Sequence, residues 1–118
     1  MVEITDEYMN ARLEVSRAYC MLFLKAGPAY QPHDVRSPEQ AAIIREHGRN
    51  NMQLQAEGKM VLVGPISGAR PIVGMSVFTI PEAEAREIMA RDPAVVAGIL
   101  VPEFATWFSF PGDKLPEA

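Results

Sequence analysis

The stretch "KMVLVGPISGARPIVGMSVFTIPEAEAREIMARD", residues 59–92, decides the fold. Its opening "KMVLVG" (59–64) is almost wholly apolar, the pattern of a strand buried on both faces. "GPISGARP" then brings two glycines and two prolines, which force a turn. "IVGMSVFTI" (72–80) alternates as a strand does, with Val73, Met75, Val77 and Thr79 on one face and Ile72, Gly74, Ser76, Phe78 and Ile80 on the other. Pro81 opens a helix whose glutamates at 82 and 84 suit the positive end of the helix dipole. That helix stops at about Asp92, because the residue before Pro93 is pushed out of helical geometry. Two strands and a helix thus follow one another without a long connection.

Working outward, Ser37, Pro38 and Gln40 supply an N-cap, a proline at the first helical turn and the third residue of a capping box. The helix they start runs to about Glu57, where Gly58 offers a left-handed C-terminal residue. "RAYCMLFL" (17–24) is another buried strand, and "AGPAYQPHDVRSP" (26–38), with three prolines, is a loop long enough to be functional. "ILVPEFATWFSF" (99–110) is the last strand, with Pro102 marking an edge or a bulge. Residues 5–16 form a short helix capped by Thr5, and "PGDKLPEA" is a polar tail. The order β-α-β-β-α-β is that of a ferredoxin-like α+β domain over residues 17–110, an antiparallel sheet with both helices on one face, between an N-terminal extension (1–16) and a tail (111–118). Strands 17–24 and 59–64 are too apolar to leave a sheet face in water, which predicts a homodimer whose sheets pack into a dimeric α+β barrel.

Composition agrees with one compact domain: 118 residues, 48% hydrophobic and 22% charged. A net charge of -4 with no dense Lys/Arg cluster argues against a nucleic-acid partner. No apolar run reaches the ~20 residues that span a bilayer, so no membrane partner is expected. The acidic N-terminus lacks the layout of a secretion signal, which points to the cytoplasm. Cys20, the only cysteine, reads as a small buried hydrophobe, and the seven methionines as core filler.

On a 3.6-residue period Gln40, Ile44, His47, Asn51, Leu54 and Gly58 share one face of the first long helix, so a histidine and an asparagine interrupt the stripe that meets the sheet. In the second helix Ala85, Ile88, Met89 and Asp92 line up likewise. There a carboxylate in the last turn faces the negative end of the dipole and needs compensation. Since the two helices lie side by side, His47 and Asp92 are placed to meet, and such a pair is an acid/base device working near neutral pH. The bland alternative is a satisfied core histidine, with Asp92 merely capping the turn after it.

"AYCMLFLKAG", "EHGRNNMQLQAEGKMVLVGPISG", "RDPAVVAGIL" and "ATWF" together resemble the YCII-related family over roughly residues 17–109. The resemblance implies a ferredoxin-like, dimeric α+β barrel in which His47 and Asp92 form a catalytic dyad in a pocket, with further motif positions at Gly58, Gly64, Pro65 and Pro93. It also implies a lyase or isomerase chemistry, dehydrochlorinase-like, on a small aromatic or unsaturated oxygenated substrate, with no cofactor. Asn51, Gly64, Pro65, Phe23, Arg45 and Trp107 are candidates for substrate binding: Phe23 and Trp107 as walls, Arg45, like Arg70, toward a carboxylate. The long loop and Ala94 depart from the family pattern at places where a pocket is shaped. His33 reads as a surface imidazole, and two distant histidines without cysteine partners argue against a zinc site. "GPISGARP" has neither the spacing nor the following helix of a phosphate loop. Two rival functions stay open: a non-catalytic metabolite-binding or dimerisation module, marked by binding without turnover, and a cofactor-free dimeric-barrel monooxygenase, marked by oxygen consumption.

Overall fold

The computed structural model of the chain describes residues 1–117. It consists of α1 (Asp6–Glu14), β1 (Arg17–Ala26), a 3-10 turn (His33–Val35), α2 (Pro38–Ala56), β2 (Met60–Ala69), β3 (Ile72–Phe78), α3 (Glu82–Ala90), the short α4 (Pro93–Val96) and β4 (Leu100–Ser109). The four strands form one sheet in the order β2-β3-β1-β4, antiparallel throughout, which is the ferredoxin-like arrangement.

Strand register decides what each residue faces. Leu22 pairs with Ser76 and Phe104, Cys20 with Phe78, and these side chains lie under the helices with Leu54, Met60, Ala85, Met89 and Ile99. Leu22, Ala85 and Met89 are 0% exposed, so the core sits between the sheet and the α2/α3 layer. Met21, Phe23, Leu62, Met75 and Trp107 fall on the opposite face.

Strand ends shift by one or two residues in β1, β3 and β4, and two larger departures and one cap carry a physical reason. β2 continues through Gly64 and Pro65 to Ala69 instead of turning at "GPISGARP", because β2 lies at the sheet edge, where a proline need not break a ladder of hydrogen bonds. Pro102 sits likewise in the other edge strand. α3 ends at Ala90, two residues early, and Asp92 starts a new helical turn with Pro93 in its first position. The capping box is only half made: Ser37 Oγ accepts from Gln40 N–H at 3.1 Å, but the Gln40 side chain turns away.

Gln40 instead pins the loop after β1. Its Oε1 accepts from Gln31 N–H at 2.7 Å, its Nε2 donates to Ala29 O at 2.9 Å, and Gln31 Oε1 takes the Ser37 N–H at 2.8 Å. This exchange satisfies a buried amide and the open start of α2 together. At the other end of α2, Gly58 has φ 76°, and Lys59 N–H reaches Leu54 O at 2.9 Å, closing the helix as a Schellman motif. α1 buries no residue and is tied to the C-terminal tail by Arg12, which pairs with Asp113 at 3.0 Å and lies over the Phe110 ring. No helix among the described residues is long and apolar enough to cross a membrane.

Candidate functional site

The buried residues of α2 are Gln40, His47, Asn51 and Leu54, one helical stripe facing the sheet and the α3–α4 connection. His47 Nδ1 lies 2.9 Å from both Asp92 Oδ1 and Asp92 Oδ2, across a sequence gap of 45 residues. Asp92 is 0% exposed and is held from four sides: by His47, by Asn50 Nδ2 at 3.2 Å, and by the Ala94 and Val95 N–H groups at 3.0 and 3.3 Å. As the N-cap of α4, with extended backbone, it meets free backbone donors where a helix-end position would have met free carbonyls. The electrostatic penalty expected from the sequence is thus reversed.

Burial on its own raises a carboxyl, but the hydrogen bond and charge of His47, with the bonds from Asn50 and Val95, outweigh it and hold Asp92 below the usual carboxylate range. A carboxyl lowered by folding stabilises the fold fully above its ordinary value near pH ~4. That contribution disappears as the pH falls through the lower, folded-state value.

A carboxylate facing Nδ1 makes that nitrogen the donor in the neutral imidazole, leaving the Nε2 lone pair free to accept. Asn51 Nδ2 lies 3.3 Å from Nε2, one helical turn further on, while Asn51 Oδ1 is buried without a partner. His47 and Asn51 form part of the wall of a half-open cavity of about 670 Å³ bordered by α2, the loop after β1, and strands β2 and β3. Leu24, Ile44, Val63 and Val73 contribute to its apolar surface.

The cavity brings together His47, Asn51, Gly64 and Pro65. Asp92 stands behind His47, out of reach of an occupant. Phe23 and Trp107 do not line the cavity, because both point from the far face of the sheet. Arg45 is exposed on the solvent side of α2, also outside it. His33 reaches the rim, its ring largely in solvent beside Asp34 at 3.7 Å. Sequence reasoning missed Asn50, Tyr30 and Arg36. Asn50 was within reach, since it lies three residues from His47 on the same side of the helix; Tyr30 and Arg36 sit in an aperiodic loop that gives no such signal. No group of three or more His, Cys, Asp or Glu side chains among the described residues is placed to hold a metal ion.

Residues 18–103 match the YCII-related domain, and the chain belongs to that family. No curated protein matches it in sequence. Among solved structures, muconolactone isomerase shares the fold, with 16% identity and a TM-score of 0.58 over 84% of this chain and 97% of that one. The 5-chloro-2-hydroxyhydroquinone dehydrochlorinase TftG from Burkholderia phenoliruptrix AC1100, in complex with 2,5-dihydroxybenzoquinone, is also similar: 16% identity and a TM-score of 0.43 over 76% of this chain and 90% of that one.

Proposed function

We infer that the protein is a small enzyme that moves a proton on an unsaturated, oxygenated small molecule, as a lyase or isomerase. One observation carries this: the same imidazole that both oxygens of a fully buried carboxylate grip at 2.9 Å also forms part of the wall of an apolar cavity. His47 Nε2 is the base, and Asp92 fixes the tautomer and balances the imidazolium that forms. Asn51 serves both states, since turning its amide presents Oδ1 to a newly protonated Nε2.

The test is proton exchange. Small unsaturated lactones and hydroxyquinols are incubated with the protein in D2O, and loss of the C–H signal is followed by NMR. Exchange is expected with wild type and to fall by about 10²–10⁴-fold in His47→Gln with the circular dichroism unchanged. Exchange unaffected by His47→Gln contradicts the assignment, and saturable binding without any exchange marks a sensor instead.

Assembly belongs to the same proposal. The sheet face bearing Met21, Phe23, Leu62, Met75 and Trp107 has no helix over it among the described residues, and such a face is costly in water. A second copy packing its own sheet there closes a barrel. Light scattering at micromolar concentration is expected to give about twice the chain mass of 13.0 kDa; the single-chain mass contradicts the dimer.

A further inference from the structure

We propose that the cavity selects an anion: an elongated hydroxylated acid whose carboxylate lies at the Arg36 end and whose hydroxyl lies at the His47–Asn51 end. The inference rests on the cavity being the ligand site of the proposed function, but not on the proton-transfer chemistry.

Charge is the first observation. The protein as a whole carries -4, yet no acidic side chain lines this cavity, while Arg36 and His33 do. Asp34, beside His33, faces solvent, and Asp92 is sealed behind His47. Arg36 is half-buried, its Nε donating to Gln31 O at 3.1 Å, and its guanidinium carbon lies 5.6 Å from the centre of the Tyr30 ring. Arg70 lies 5.7 Å from the same ring. Neither arginine forms an ion pair among the described residues. Two guanidinium groups beside one cavity-lining aromatic ring, with no carboxylate between them, leave positive charge for the occupant to neutralise.

The second observation lies at the other end. Asn51 is 7% exposed, and its Oδ1 has no partner. A buried acceptor left unpaired is unfavourable, and because Oδ1 is sealed from solvent the Asn51 side chain has to turn toward the cavity before a donor on the occupant, for which a hydroxyl is the small neutral choice, satisfies it. The two ends are carried by well-separated stretches of backbone: Arg36 precedes α2, and His47 stands nine residues up that helix from Pro38, about 14 Å of helix at 1.5 Å per residue. An acid that meets both ends has to be longer than a single ring, and the apolar walls between them suit an unsaturated body.

The experiment uses three probes of one shape: 4-hydroxycinnamate, its neutral amide, and cinnamate. Each is titrated into ¹⁵N-labelled protein at pH 7, following the backbone amides of Asn51, Gly64 and Gly74. The expected result is that 4-hydroxycinnamate binds at least tenfold tighter than the amide and measurably tighter than cinnamate. Arg36→Gln is expected to remove most of the preference for the acid, and Arg36→Lys to retain part of it, both with native spectra elsewhere. Equal binding of acid and amide, an undiminished preference in Arg36→Gln, cinnamate binding as tightly as 4-hydroxycinnamate, or no saturable shift at millimolar probe each overturns the assignment. An intact acid preference alongside absent proton exchange sinks the catalytic proposal alone.

Discussion

Asp92→Ala is expected to lower folding stability by about 3–5 kcal/mol, the range for removing one partner of a buried, hydrogen-bonded charge pair. The substitution strips an acceptor from four donors at once: His47 Nδ1, Asn50 Nδ2 and the N–H groups of Ala94 and Val95. The His47 Nδ1 and Ala94 donors do not find water easily, because Asp92 and Ala94 are 0% exposed and His47 is 9% exposed. The short α4 also loses its N-cap, which alone contributes roughly 1 kcal/mol. Urea unfolding at pH 7 measures the difference, and a loss under 1 kcal/mol contradicts the arrangement. The pH dependence checks the same group from another side. Wild type keeps the Asp92 contribution down to about pH 4 and loses it below, as the carboxyl takes up its proton, so the gap between the two proteins narrows in acid.

Gly27→Ala is the second large effect expected, a loss of about 3 kcal/mol, at the upper end of what forced overpacking costs. A Cβ on Gly27 would lie 2.3 Å from Gly98 O and 3.0 Å from Gly98 C, and both are backbone atoms that cannot swing aside as a side chain does. The close approach is held from both directions, Gly27 N–H to Ile99 O at 2.8 Å and Ala29 N–H to Gly98 O at 3.1 Å. This contact roots the loop that carries Tyr30 and Arg36 to the cavity, so the variant is expected to unfold at lower urea and to loosen that wall. A lower urea midpoint with an unchanged slope identifies a loss of stability without a change in the surface exposed on unfolding. A wild-type midpoint contradicts the packing described.

The element order and the α2 stripe were legible because periodicity carries them. Of the six stripe residues Gln40, His47, Asn51 and Leu54 are buried, Ile44 is half-buried, and Gly58, past the helix end, is exposed. The same periodicity misled at Asp92. Ala85, Ile88 and Met89 extend smoothly into it, but the extended backbone of Asp92 itself makes it open a helix rather than close one, the turn-capping role that the Asp-Pro pair also offered. Parity failed in β1 for a different reason. "RAYCMLFL" is apolar on both faces, so alternation cannot say whether Phe23 or its neighbours Leu22 and Leu24 meet the helices. The register with β3 and β4 settles it, placing Leu22 and Leu24 inside and Phe23 outside. Arg36 stayed hidden because loop residues follow no period; the Gln31–Gln40 exchange that fixes it is a tertiary arrangement with no sequence signature.

The dyad assignment stands on one nitrogen. The proposed role of His47 requires that the neutral ring carry its proton on Nδ1, facing Asp92, and leave Nε2 unprotonated. A long-range ¹H–¹⁵N spectrum of the imidazole rings at alkaline pH distinguishes the two tautomers directly, with His47→Gln used to assign the signals. His47 is expected to show a protonated Nδ1 and an unprotonated Nε2. A His47 carrying its proton on Nε2 contradicts the pairing with Asp92 and, with it, the role of His47 as the base of the site.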